Sequence, residues 1–117
     1  MMKFALTTLY VSDMEKSLFF YHELLGMPVL RRLSMGPGRE IVFLGTTGNV
    51  NLELIASDVT VTYAGFSIGF DVDDLAAAKE RLAANGYVLK REIKPAPTVT
   101  LAFFNGPNGE EVELMGR

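Results

Sequence analysis

The stretches "VNLELI" (residues 50–55) and "EEVELM" (110–115) hold a glutamate in the same way, Glu53 between Leu52 and Leu54, and Glu113 between Val112 and Leu114. Successive side chains of a strand point to opposite faces, so each stretch reads as a strand with one apolar face and a carboxylate on the other. The two glutamates stand sixty positions apart, and the surrounding sequence keeps that spacing. "IVFLGTTGNVNLELI" (41–55) lies over "LAFFNGPNGEEVELM" (101–115) without a gap, pairing Phe43 with Phe103 and Leu54 with Leu114.

The correspondence extends toward the N-terminus. "LTTLYVSDMEKSLFFYHELLGMPVLRR" (6–32) lies over "SIGFDVDDLAAAKERLAANGYVLKRE" (67–92), pairing Val11 with Val72, Asp13 with Asp74 and Gly26 with Gly86. The spacing is sixty-one before the helical stretch and sixty after it, so the second helix is one residue shorter. A repeat constrains architecture more strongly than local propensity does. Each copy reads strand, helix, then three strands, which predicts an α+β fold of two tandem βαβββ modules, with curled mixed sheets around a cup-shaped cavity. The repeat spans residues 1–56 and 65–117 of a single domain, and "ASDVTVTYAG" (56–65) joins the copies.

Within the copies, residues 4–11 alternate with Ala5, Thr7, Leu9 and Val11 on one face, and residues 66–72 with Phe66, Ile68, Phe70 and Val72. Ser12 with Glu15 three residues on has the form of a capping box, and Ser17, Phe20, Tyr21, Leu24 and Leu25 follow along one side before Gly26. The second helix opens around Asp73 and Asp74, buries Leu75, Ala78 and Leu82, and ends at Asn85-Gly86. "GPG" (36–38), "TTGN" (46–49), "KPAP" (94–97) and "GPNG" (106–109) carry turn residues at hairpin spacing. One helix for four strands covers one sheet face, so the glutamates point from the uncovered face into the cup.

The chain has 117 residues and 49% hydrophobic content, enough for the core of one soluble domain. A formal net charge of −3, with no basic and aromatic cluster, argues against nucleic acid as a partner. The absence of cysteine excludes disulfides, thiolate metal sites and thiol nucleophiles, and fits a cytoplasmic location. "MMKFALTTLYVSD" is too short and too polar for a membrane span or a signal peptide, so no membrane partner is expected.

"LYVSDMEKSLFFYHELLG" (9–26), "GFDVDDLAAAKERLAANG" (69–86) and "GPNGEEVELM" (106–115), together with the duplication, resemble the vicinal-oxygen-chelate superfamily across the whole chain. That group includes glyoxalase I, extradiol dioxygenases, fosfomycin-resistance enzymes and bleomycin-binding proteins. In its metal-using members, the resemblance implies a His, Glu, His, Glu set around one divalent ion. The matching positions here are Leu6, Glu53, Ser67 and Glu113, so both carboxylates are present and both imidazoles are missing. Zn²⁺ and Ni²⁺ favour imidazole or thiolate, whereas two carboxylates completed by water suit Mg²⁺ or Mn²⁺ weakly. No cofactor is therefore expected, and Glu53 and Glu113 are the only candidate metal ligands. The family's final turn often reads Asp-Pro-Asp-Gly or Asp-Pro-Asn-Gly. Gly106 stands in place of its first Asp, a change expected to affect turn stability more than function.

The two glutamates are also the candidate catalytic acid or base, since two carboxylates sharing a desolvated cavity raise each other's pKa. Alternation from these positions adds Thr8, Tyr10, Asn51, Ile55, Gly69, Asp71, Glu111 and Met115 to the cup face, while Phe43 and Phe103 fit either the cavity or the core. The ligand-binding set is therefore Leu6, Thr8, Tyr10, Asn51, Glu53, Ser67, Phe103, Glu113 and Met115. His22 falls on the outward helix stripe with Glu15 and Phe19, which removes the only imidazole from the cup. The leading expectation is a metal-independent small-molecule-binding protein similar to bleomycin-type sequestering proteins of antibiotic resistance. Its alternative is a glyoxalase-like lyase, isomerase or dioxygenase. The resemblance implies a homodimer.

Overall fold

The computed structural model describes residues 1–117. The chain forms two compact units, Met1–Val61 and Thr62–Arg117. The first contains β1 (Leu6–Val11), α1 (Met14–Leu18) continuing into a π-helical segment (Phe19–Leu24), β2 (Val29–Ser34), β3 (Glu40–Leu44) and β4 (Asn51–Ala56). Its sheet has the order β1-β4-β3-β2, with β1 parallel to β4 and the other pairs antiparallel. The second contains β5 (Ser67–Asp71), α2 (Leu75–Ala84), β6 (Leu89–Ala96), β7 (Val99–Asn105) and β8 (Glu111–Gly116), in the order β5-β8-β7-β6. The expected α+β class and the βαβββ order of each module are both observed. No helix is long and apolar enough to cross a membrane.

The apolar half of each alternating strand makes the core. In the first unit Leu9, Val11, Val42, Leu44, Leu52 and Leu54 are buried together with Met14, Ser17, Leu18, Phe20, Tyr21 and Leu24 of the helix. In the second, Ala102, Phe104, Val112, Leu114 and Leu82 are buried, whereas Leu75 and Ala78 are only partly covered. Burying one such leucine contributes about 1.5–3 kcal/mol, and the strands place these side chains on one face by period alone.

The helix starts are displaced from the expected capping box. Asp13, not Ser12, caps α1, its carboxylate accepting from the Lys16 N–H at 3.1 Å, and Asp74 caps α2 through the Ala77 N–H at 3.0 Å. Both caps are the paired aspartates of the repeat, since the short carboxylate reaches the N–H three residues on while its own backbone remains extended. The extra residue of the first helix is absorbed in a π turn: the Leu25 N–H donates to the Phe20 carbonyl, five residues back, at 3.0 Å. The widened turn lets the adjacent Phe20 and Tyr21 both face inward, with their rings edge to face at 4.9 Å.

Two turns also differ from expectation. "KPAP" does not turn as a unit, because β6 runs through Pro95 to Ala96 and reverses at Pro97-Thr98. The proline is tolerated because β6 is an edge strand, where one N–H of each pair faces solvent. In the last turn the fully buried Glu110 folds back, accepting from the Asn108 backbone N–H at 2.8 Å and from Asn108 Nδ2 at 3.0 Å. A Cβ at Gly106 would lie 2.7–3.0 Å from that carboxylate. An aspartate at 106 would normally bond the N–H two residues on, so Glu110 supplies from the far side the carboxylate that Gly106 lacks.

Replacing Gly106 with Asp should therefore destabilise the fold by about 1–3 kcal/mol through crowding. Glu110→Ala should cost about 1–3 kcal/mol by removing the buried acceptor of two Asn108 bonds. The double variant should cost at least about 1 kcal/mol less than the two losses added, a coupling measurable by urea unfolding.

Candidate functional site

The face of each sheet away from its helix carries a row of side chains fixed by strand register. In the first unit Thr8 lies beside Glu53, Glu53 beside Phe43, and Phe43 beside Arg31. The second unit repeats the row as Gly69, Glu113, Phe103 and Arg91. Residues directly opposite in adjacent strands share a face, so Phe43 and Phe103 belong with the glutamates and not with the core. Each ring is covered by its arginine, with the guanidinium carbon 4.9 Å from the Phe43 centroid and 4.1 Å from that of Phe103. This cover leaves Phe103 only 5% exposed.

The arginines were missing from the candidate set drawn from sequence, although their sixty-residue spacing matches that of the glutamates. What hides them is a bulge. Val29 pairs with Leu44 but Arg31 with Phe43, and Leu89 pairs with Phe104 but Arg91 with Phe103, so one extra residue sits in each β2-type strand. Strict alternation therefore assigns faces wrongly beyond that point.

The two rows differ in how their carboxylates are held. The Thr8 hydroxyl donates to Glu53 Oε1 at 2.7 Å. Glu113 is paired in register with Gly69, which supplies no side chain. Leu6 lies on the same face as Glu53 but pairs with Asn51, and Ser67 pairs with Glu111. The Ser67 hydroxyl donates to Glu111, which also accepts from Lys90 Nζ at 2.9 Å and lies 3.7 Å from Arg91 Nη1. These contacts hold the Glu111 carboxyl below its ordinary value, the Ser67 bond contributing most and the Lys90 bond next. Tyr10 is exposed at the edge of the first row, and Met115 is partly covered at the edge of the second, 3.7 Å from Arg117 Nη2. Asn51 Oδ1 is buried without a hydrogen-bond partner, and Gly45, at φ +132°, leaves room for it where any side chain would collide.

His22 lies outside both rows. Its Nδ1 donates to the Met27 carbonyl at 2.6 Å, fastening the end of the π segment. In neither unit do three His, Cys, Asp or Glu side chains gather at one point. The residues at the four metal-ligand positions do not fit the set implied by the resemblance. Leu6 has no donor atom, and the Ser67 hydroxyl is engaged by Glu111.

A family model described as the Glyoxalase/Bleomycin resistance protein/Dioxygenase superfamily matches residues 3–114. The chain belongs to this superfamily. It is 36% identical to a lactoylglutathione lyase of Neisseria meningitidis over 93% of its own length and 86% of that protein. Among solved structures, it resembles the trypanothione-dependent glyoxalase I of Leishmania major, with a TM-score of 0.80 and 25% identity over 99% of this chain and 87% of that one. It resembles equally in sequence TnmS3, an antibiotic-binding protein from Streptomyces sp. CB03234, with a TM-score of 0.72 and 25% identity over 97% and 94% of the two chains. The superfamily neighbours thus include a catalyst and a binder built on the same modules.

The depressed Glu111 value has a pH consequence. Its ion pair and serine bond stabilise the fold above the ordinary carboxylate value, and that contribution is lost as the pH falls through the lower folded value. A carboxyl-carbon NMR titration should give Glu111 an inflection below the usual carboxylate range. Ser67→Ala should move it upward, Lys90→Met should do so to a smaller extent, and an unmoved inflection in both would contradict this arrangement.

Proposed function

We propose that the chain is a metal-independent small-molecule-binding member of the superfamily, capturing an organic ligand on the open faces that carry Glu53 and Glu113. The observation carrying this reading is the state of the two positions where the metal-using members place imidazole: Leu6 is aliphatic, and Ser67 is tied to Glu111. Each open face combines an aromatic surface, a guanidinium and a carboxylate, which is the mixture of apolar wall and few directed polar groups that small-molecule sites use. On the first face Thr8 and Glu53 would fix a donor group of a ligand and Phe43 would supply contact area, and on the second Phe103 and Met115 would supply it. Each module offers its own open face in this reading. Exposed Phe19, Leu6 and Tyr10, at 46%, 41% and 48%, favour self-association into a homodimer. Antibiotic sequestration is one role such a binder would serve, and the resemblance to TnmS3 supports it. A cytoplasmic location accords with the absence of cysteine.

The second reading is a glyoxalase-like lyase, favoured by the 36% identity to a lactoylglutathione lyase together with retention of both glutamates. In that case Glu53, aligned by the Thr8 hydroxyl, would move a proton alpha to a substrate carbonyl.

Calorimetric titration of chelator-treated protein with Mn²⁺, Ni²⁺ and Zn²⁺, followed by a thermal-shift screen of organic compounds, separates the two. The binder predicts no saturable metal site in the micromolar range, no turnover of lactoylglutathione with any of the three ions, and compounds that raise the melting temperature. Tight metal binding and metal-dependent turnover that both vanish in the Glu53→Gln, Glu113→Gln variant would establish the lyase instead.

A further inference from the structure

The two modules keep the same open-face row but differ at one end of it. Where the first has Leu6, Leu30 and Asn51, the second has Ser67, Lys90 and Glu111 at the matching positions of the repeat. An apolar or neutral trio has become a charged one on an unchanged scaffold. The bulge in β6 makes this arrangement possible. Consecutive residues of a regular strand face opposite ways, yet Lys90 and Arg91 both reach Glu111, with Lys90 Nζ at 2.9 Å and Arg91 Nη1 at 3.7 Å.

Two cations therefore flank one carboxylate, leaving a positive excess on that surface. The carboxylate is already committed to the Ser67 hydroxyl and the Lys90 ammonium. Arg91 is in a different state. Its guanidinium carbon sits over the Phe103 ring, 4.1 Å from the centroid, and the nearest carboxylate oxygen stands beyond hydrogen-bond distance. Contact with the ring restrains the guanidinium while leaving N–H donors available for a planar acceptor. Lys90 retains donors beyond the one it gives to Glu111.

These groups line a cavity of about 480 Å³ together with Tyr63 and Phe66, whose rings stand edge to face at 6.0 Å. Asn105 and the small residues Ala64, Gly65 and Gly109 also line it. The size lies within the range of small-molecule sites, and the lining combines aromatic rings with two cations.

We propose that this cavity of the second module binds an aromatic carboxylate, with the anionic head taken by the donors of Arg91 and Lys90 that Glu111 does not use and the ring against Phe66 and Tyr63. The inference deepens the reading of the chain as a binder of organic ligands, on which it rests, by naming the ligand class. A cationic ligand meets two like charges here. A neutral one still accepts from Arg91 and Lys90 but forgoes the ion-pair attraction and the bidentate match that a carboxylate makes with the guanidinium fork. The low protonation range of Glu111 keeps the ion pair intact near neutral pH, so the cavity retains its charge pattern under ordinary conditions.

The test is a calorimetric titration of the full chain with 1-naphthoate, 1-naphthamide, 1-naphthylmethylamine and inorganic phosphate, with amide NMR shifts locating each ligand. The acid should bind at least about tenfold more tightly than the amide, equivalent to about 1.4 kcal/mol, and the amine and phosphate should bind more weakly still. Shifts should centre on Ser67, Lys90 and Glu111. Arg91→Met, which keeps an apolar stem over Phe103, should weaken the acid at least about tenfold and bring it level with the amide. Lys90→Gln should weaken it in the same direction, providing a second route if Arg91→Met does not fold. Lys79→Met, which removes the same charge from the exposed pair with Glu92, should leave the affinity unaltered. Equal binding of acid and amide, phosphate binding as tightly as the acid, acid binding indifferent to Arg91→Met and Lys90→Gln, or shifts centred elsewhere would overturn the assignment. So would the absence of binding by the acid. A neutral ligand bound in its place would overturn it while leaving the broader small-molecule reading intact.

Discussion

A single helix packed on one face of a four-stranded sheet is the constraint from which each module follows. The helix can cover only one set of alternating side chains, and those become the core: Leu9, Val11, Leu52 and Leu54 in the first unit, Val112 and Leu114 in the second. The intervening residues of the same strands are then left facing away from the helix with their character free to vary. Parallel pairing of β1 with β4, and of β5 with β8, sets which of them stand side by side. A one-residue slip in either pairing would move the glutamates to the buried face and the leucines to the open one, so the core itself enforces the register of the site.

Duplication of this unit gives two open faces of common descent, and they have diverged unevenly. The Glu-Phe-Arg row persists in both, held by register and by the guanidinium resting on the ring. The ends of the rows differ, apolar and neutral around Leu6 and Asn51, ionic around Ser67 and Glu111. The positions that the metal-using relatives give to imidazole lie in these divergent ends, and chemistry at Ser67 has turned toward a neighbouring carboxylate. Function in this superfamily is carried by such side-chain choices on a shared scaffold, so likeness to a lyase and to an antibiotic-binding protein at once is consistent with the fold.

Most of the architecture was legible in the sequence because the repeat and the period of two are signals that tertiary contacts reinforce. Glu53 and Glu113, Thr8 beside Glu53, and the apolar stripe of the first helix all follow from spacing. What was not legible depends on departures from regular period. The bulges at Leu30 and Lys90 shift Arg31 and Arg91 onto the open face, against strict alternation. The cap passed from Ser12 to Asp13 because two adjacent residues were chemically able to serve, and only backbone geometry selects between them. The unequal helix lengths were visible in the changing offset of the repeat, but not that the surplus residue would be taken up inside the helix as a π turn. Glu110 gave no signal at all: the first of two glutamates after a turn looks solvent-facing until its bonds to Asn108 are seen.

The exchange of a carboxylate across the last turn bears on how such a sequence can be reached. With an aspartate at 106, as the family often has, introducing Glu110 first would place two like charges in the space of one. Removing the aspartate first leaves the turn briefly without its acceptor but opens the room that Glu110 then fills. One order passes through a repulsive, overfilled intermediate and the other through a merely weakened one. Glycine at 106 and the buried glutamate at 110 therefore form a linked pair, in which a change at either position is weighed against the residue at the other.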